Sequence, residues 1–267
     1  MEQYVIRGGH AGAERLAVLA RAWWPTTEAL FDRAGVVVGM RCLDLGCGGG
    51  DVTLEIARRV GPTGFVTGID MDEVKLGRAR AAAAEQGLSN IEFLAQNVYD
   101  FAQLDVFELV YSRFVLQHLS RPVDVLRTMW AAVRVGGVIA VEDADFGGQF
   151  SDPPDDGFAF YADAYPRVLE RHGGDPLIGR KLHRLFADAG IPEPEVRVVQ
   201  RVDRTGEGKT LPYSTVEATA EAIVAEGVAT AGQVAIALAS LASYAADGSS
   251  ICGSPRNFQV WSRRSHH

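Results

Sequence analysis

Asp44 closes an apolar run in "RCLDLGCGGGD", and four glycines follow it within five residues before Asp51. Glycine loses more backbone freedom on folding than any other residue, so such density weakens regular structure and marks a place of close approach. A tight turn needs one or two glycines; four point to a ligand against the backbone. The dinucleotide spacing G-x-G-x-x-G would use Gly46 and Gly48 and then require glycine at 51, where the chain has Asp. An acid there also repels the pyrophosphate that a helix N-terminus attracts. Asp44 suits a ligand with positive charge. Asp70, twenty residues past Gly50 at the end of "GFVTGID", is placed to accept from ribose hydroxyls. A nucleoside with a cationic part and no phosphate satisfies both acids.

Two further groups can move protons. His118 follows the apolar "FELVYSRFVLQHL", and its ordinary pKa suits a general base. Glu142, Asp143 and Asp145 crowd into "VEDADF" and offer a base or a metal site, though three acids so close cannot all face one site. His172 and His183 stand eleven apart without ligand spacing, and Cys42, Cys47 and Cys252 lack the spacing of a metal site, so no metal is expected. The last residues, "RSHH", resemble the stub of an affinity tag and are left out of that argument.

These residues need elements to hold them. Helical periodicity runs through "AERLAVLARAWWPTTEALFDRAG", with a break expected at Pro25 and a stop at Gly35. Strands then alternate with helices: "MRCLDLG", "GFVTGID", "IEFLAQ", "FELVYSR" and "VIAVED" are separated by helical stretches, one of them N-capped by Asp72. Alternation of this kind implies parallel pairing and right-handed crossovers. After Asp143 it fails. "FAFYADAYPRVLERHGG", expected to be interrupted at Pro166, and the helical block over 204–250 form two excursions, read together as a cap. "PEVRVVQRVDR" and "PRNFQVWSRR" return as strands.

S-adenosylmethionine meets the requirements of the two acids, and in their order and spacing the motifs resemble the class I S-adenosylmethionine-dependent methyltransferases of small-molecule type. "LDLGCGGG" is similar to that family's first motif, "GIDMDE" to its second and "FELVYSRFVLQHL" to its fourth-strand motif, with Glu108 where Asp is more frequent. The resemblance implies an α/β fold, a doubly wound, mostly parallel seven-stranded sheet with a helical cap. It implies that Gly46 and Gly48 lie against the cofactor, that Asp44 lies near its methionine end, and that Asp70 takes the ribose hydroxyls. Met71 would pack on the adenine; Asn97, with Val98 beside it, would accept from the adenine amino group. Arg113 joins this set. Tyr4 and Arg15, in a segment that folds over the cofactor in similar enzymes, would meet its carboxylate or adenine face. The expected organisation is an N-terminal segment over 1–39, a cofactor-binding core over 40–145, a substrate cap over 146–176 and 204–250, the rest of the sheet over 177–203 and 251–264, and a tag remnant over 265–267.

Composition is that of a globular protein, 47% hydrophobic and 22% charged, with net charge −8 and no block of like charges. Nucleic acid is therefore not an expected partner. "AIALASLASYAA" is too short to span a bilayer, and without a signal peptide a reducing cytoplasm is the expected location. A small organic acceptor is expected, gripped by Tyr161, Tyr165, His172 and Tyr213 of the cap; a homodimer is compatible with this reading. His118, with Asp143 and Asp145 behind it, is the expected base. The turn that marks amino-methylating enzymes of nucleic acids, Asn/Asp-Pro-Pro-aromatic, is replaced by "YSRF", and no cysteine follows the fourth strand for cytosine C5 chemistry. Two other readings stay open: a protein that keeps the cofactor without transferring methyl, such as a cyclase, and a nicotinamide-dependent reductase.

Overall fold

Strands that are apolar almost without interruption, such as "VIAV" at 138–141, belong inside a sheet covered on both faces. The computed structural model describes residues 10–265, so Tyr4, the rest of 1–9, and His266 and His267 lie outside the described residues. In chain order the elements are α1 (His10–Ala34), β1 (Arg41–Leu45), α2 (Asp51–Val60), β2 (Phe65–Asp70), α3 (Glu73–Glu85), β3 (Ile91–Ala95), β4 (Phe107–Arg113), α4 (Pro122–Ala132) and β5 (Val133–Asp145). Then come β6 (Phe150–Asp152), α5 (Asp156–Arg171), α6 (Leu182–Asp188), β7 (Glu195–Val199), β8 (Val202–Asp203), α7 (Leu211–Ala225), α8 (Ala231–Ala246), β9 (Ile251–Gly253) and β10 (Arg256–Arg263).

Seven strands form one sheet in the order β3-β2-β1-β4-β5-β10-β7. β1 is parallel to β2 and β4, β4 to β5, and β2 to β3, while β10 runs antiparallel to both β5 and β7. The expected doubly wound sheet is present. Alternate side chains split its two faces: Leu43, Val110 and Val141 pack toward α4 and α6, whereas Cys42, Tyr111 and Ala140 pack toward α1 and α2. The strand order reverses between β1 and β4, so the crevice of an open sheet opens at their carboxyl ends.

Beyond that edge, α5, α7 and α8 share a separate core built on Phe158, Tyr165, Val216, Ile223 and Leu241. A three-stranded sheet, β6-β9-β8, joins this cluster to the main sheet and had no sequence signal. The stretch read as one strand, "PEVRVVQRVDR", splits between the two sheets as β7 and β8. Both prolines expected to break helices sit inside them: Pro25 in α1 and Pro166 in α5. Packing overrides the local cost. Leu30 and Phe31 of α1 are fully buried, and so are Val168 and Leu169 of α5.

The anchor of α1 is Glu142 of β5, a carboxylate with no exposure. Its Oε1 accepts from Thr27 Oγ1 of α1 at 2.7 Å and from the Tyr111 hydroxyl of β4 at 2.6 Å. Its Oε2 accepts from Asn257 Nδ2 and Gln259 Nε2 of β10, both at 2.8 Å, and Gln259 also donates to the Thr26 carbonyl. Four donors from three elements thus converge on one side chain. Glu142 was read as part of an acidic catalytic group; its place is structural. Removing it orphans four buried donors at about 1–3 kcal/mol each before relaxation. Glu142→Ala is expected to lower stability in urea unfolding by at least about 3 kcal/mol, with Glu142→Gln losing less because it keeps acceptor and shape.

Candidate active site

The glycine turn between β1 and α2 is stitched to the end of β2. Gly46 N and Cys47 N both donate to the Ile69 carbonyl, at 2.8 and 2.9 Å. Gly48 N donates to Asp70 Oδ2 and Asp72 N to Asp70 Oδ1, each at 2.9 Å. Two backbone amides therefore hold the Asp70 carboxylate, and each oxygen keeps acceptor capacity for a hydroxyl. Asp72 caps α3 as expected, accepting from Val74 N and Lys75 N.

The glycines divide by what they face. Gly46 has φ +76°, and a Cβ there would drive into the Val115 side chain; a Cβ on Gly50 would stand 2.7 Å from Ala79 Cβ. Packing excludes a side chain at both, and Gly46 also borders the cavity that Gly48 lines. Gly48 has φ +56° with nothing nearer than Leu16 Cδ1 at 4.0 Å and lines a cavity, so it leaves the room a ligand needs.

That cavity measures about 890 Å³ and runs from the glycine turn, between α1 and the β4 end, to α5 and α7. Its first half carries Asp44, Asp51, Asp70, Met71, Asn97 and Arg113, with Val98 beside Asn97. Asp44 is buried and accepts from Thr53 Oγ1 at 2.7 Å; burial pushes it up to about 6, against the pull of Thr53 and of the Arg113 charge. Burial raises Asp51 as well, again opposed by Arg113. Arg113 itself donates to Thr27 Oγ1 at 3.1 Å. Asn97 Oδ1 accepts from Tyr99 N at 3.0 Å, which fixes the amide at the cavity wall. Met71 stands largely exposed, 60%, at the rim.

In the second half stand Arg15, His118, Tyr161 and Tyr165, with Phe146 and Phe158 as aromatic wall. Burial, with the charges of Arg15 and Lys75 behind it, pushes the His118 imidazole down to about 3. It is neutral throughout the physiological range and a poor proton acceptor. Gln117, Gln149, Thr215 and Asn257 also line this half, and nothing in their spacing along the chain had singled them out.

Four expected site residues lie elsewhere. Asp143 points away from the cavity, accepting from Ala144 N and Gln117 N at 2.9 and 3.2 Å, and burial pushes it up to about 7. Asp145, buried at the end of β5, is held by the partly exposed Arg180 at 2.6 Å and Arg256 at 3.0 Å. His172, just past α5, faces Glu226 at 3.4 Å, and the Tyr213 hydroxyl donates to Glu217 at 3.1 Å. Neither lines the cavity. Among the described residues no group of three or more His, Cys, Asp and Glu is placed to hold a metal, and no helix is long and apolar enough to cross a membrane.

The sheet order, the amide-held acid at the second strand and the glycine turn without phosphate-binding character are those of a class I S-adenosylmethionine-dependent methyltransferase. The residues present fit that cofactor: the Asp70 oxygens keep acceptor capacity, Asp44 is an acid at the cavity wall, and Gly48 leaves room beside them. The family model for the methyltransferase domain matches residues 37–190, more than half of the chain, and the chain belongs to that family. It is 37% identical over 114 residues to a ubiquinone biosynthesis O-methyltransferase of Aeromonas salmonicida, a match covering 42% of this chain and 46% of that protein. The chain spans about half the length of the curated relatives it matches. A putative methyltransferase from Bacillus halodurans shares the fold over 90% of this chain and 98% of its own, at TM-score 0.60 and 16% identity. The [4+2]-cyclase SpnF does so over 99% and 86%, at TM-score 0.55 and 18% identity.

The two kinds of glycine make different demands. Gly46→Ala adds left-handed strain of about 1–2 kcal/mol to a collision with Val115. It is expected to lower unfolding stability by at least about 2 kcal/mol. Gly48→Ala carries the strain without the collision, so its stability loss in the same urea titration is expected to be smaller.

Proposed function

We propose that the protein transfers a methyl group from S-adenosylmethionine to a small organic acceptor held in the second half of the cavity. The observation that carries this reading is the continuity of one cavity from the Asp70 cradle to an aromatic wall on α5. Bound cofactor supplies an electrophilic methyl group on a cationic sulfur. The chain's own work is to orient, exclude water and set charge. Asp70 takes the ribose hydroxyls, Met71, Asn97 and Val98 border the adenine, and Asp44 faces the positive sulfur. Arg113 meets the carboxylate at the methionine end. Phe146, Phe158, Tyr161 and Tyr165 grip an aromatic or otherwise flat acceptor, with α5, α7 and α8 as its cap. Orientation of this kind can supply roughly 7–11 kcal/mol of a displacement barrier.

General base catalysis carries less weight in this site. Moving a proton from a phenol near 10 to an imidazole near 3 is uphill by about 10 kcal/mol, more than a positioned base recovers. His118 is therefore an orienting wall residue, and turnover at saturating S-adenosylmethionine is expected to show no inflection in the usual histidine range.

Calorimetry with S-adenosylhomocysteine tests the cofactor assignment: Asp70→Ala is expected to weaken binding at least about tenfold, since two charge-assisted bonds of about 1.5–3 kcal/mol each are lost. Preference for NADH would overturn it. A mass screen for +14 products over phenols, indoles and amines then separates methyl transfer from cofactor binding alone or cyclisation; no product with any acceptor class would favour the latter, whose fold SpnF shares.

The raised Asp44 pKa gives a signed pH dependence. Below about 6 the carboxyl is neutral, and above it the anion attracts the sulfonium. Affinity for S-adenosylmethionine is expected to rise about tenfold or more as pH climbs through this range. S-adenosylhomocysteine, which lacks the charge, should change less. Asp44→Asn should flatten the difference.

A further inference from the structure

Arg15 is 8% exposed, sits near the start of α1 and lines the cavity. Its Nε donates to Thr215 Oγ1 of α7 at 3.0 Å, and that hydroxyl in turn donates to the Leu211 carbonyl at 2.7 Å. Among the described residues no carboxylate pairs with this guanidinium. A buried cation without a counter-ion costs several kcal/mol, a cost proteins tolerate where a ligand brings the missing charge.

The acids of the cavity are elsewhere. Asp44, Asp51, Asp70 and Asp72 belong to the glycine-turn half, where Arg113 is the cation acting on Asp44 and Asp51. Asp203, at the other end, is engaged by Arg201 at 2.5 Å. The charge of Arg15 instead reaches the Tyr161 hydroxyl and His118. The charge of Lys75, which pairs with Asp72 at 3.6 Å, also reaches His118. Gln117 Oε1 and Asn257 Oδ1, on side chains 4% and 0% exposed, are buried with no hydrogen-bond partner. They can receive a hydroxyl or amino proton from the same bound molecule.

We propose that Arg15 determines acceptor specificity: the second half of the cavity binds a small molecule as its oxyanion, a phenolate, enolate or carboxylate, in the guanidinium fork. The proposal rests on the methyltransferase reading above and names its substrate class. It also answers the weakness of His118 as a base, because an acceptor that arrives as an anion needs none. An oxyanion's electron pair forms the new C–O bond while the C–S pair returns to sulfur. Both charges are neutralised and no proton is released. The neutral methylated product then leaves Arg15 without its counter-ion, which favours product release. A guanidinium is suited to the task because it stays charged at all working pH and offers two parallel donors to one anionic group.

The test uses the whole protein saturated with S-adenosylhomocysteine and two pairs of probes that differ in charge and little in shape. 4-Nitrophenol against 4-nitroanisole reports a phenolate, and benzoate against benzamide a carboxylate. In at least one pair the anion is expected to bind tenfold or more tightly than its neutral partner. If the phenolate arm responds, the absorbance titration of bound 4-nitrophenol should move down by about one pH unit. Arg15→Met should remove the preference and Arg15→Lys retain part of it, with affinity for S-adenosylhomocysteine unchanged. Equal affinity within both pairs, or no binding by any probe, overturns the proposal from the wild-type protein alone, even if Arg15→Met fails to fold. Loss of S-adenosylhomocysteine affinity in a folded Arg15→Met also overturns it and returns Arg15 to the cofactor. Failure of the wild type to bind S-adenosylhomocysteine at all removes the methyltransferase reading, and with it this one.

Discussion

The cavity depends on a buried carboxylate that takes no direct part in it. Glu142 lies inside the sheet without exposure, where an ion left unsatisfied would be prohibitive, and four neutral donors from α1, β4 and β10 saturate its two oxygens. The arrangement fixes α1 against the sheet at Thr27. Three turns earlier the same helix carries Arg15, and one turn earlier Trp23, into the cavity wall. Arg113, bonded to Thr27 as well, borrows its position from the same node. A polar network thus sets the height of the helix over the cofactor half, and the apolar contacts of Leu30 and Phe31 only hold it down.

Charge is distributed within the cavity in a way the net value of −8 conceals. Acids gather around the glycine turn, where burial lifts Asp44 and Asp51 toward neutrality and Arg113 resists. The far half holds the buried Arg15 guanidinium among aromatic and amide groups, and the charge of Lys75 reaches His118 there as well. A zwitterionic ligand carrying a positive centre and an acceptor of negative character would be drawn to opposite halves. Electrostatics of that kind sorts the two ligands without any moving part.

What the residue order disclosed was local. The glycine turn, Asp70 at the end of the next strand and the Asp72 cap are set by backbone geometry over a few residues, and their types announce it. The doubly wound, mostly parallel sheet followed from the alternation of strands and helices. Failures arose where a distant partner decides. Pro25 and Pro166 stay inside helices because tertiary packing outweighs a lost backbone bond. Asp145 reads as reactive until Arg180 and Arg256 close on it. Arg15 and Thr215 meet from 200 residues apart, and His118 loses its basicity to surroundings no spacing reveals. The glycines also carry a second demand that residue type alone does not show, since a Cβ at Gly46 or Gly50 would meet Val115 or Ala79.

The place of β10 has a consequence for the order of assembly. It is the last strand in the described chain, yet it lies between β5 and β7 and pairs with both. β7 therefore has no sheet to join until some sixty residues after it have been synthesised. The same applies to β6 and β8, which meet only through β9. During translation the N-terminal βαβ units can zip together by local contacts, while β6, β7 and β8 wait for β9 and β10. The nascent chain is thus most exposed to chaperones and proteases late, and the cavity closes only when that final strand slots in.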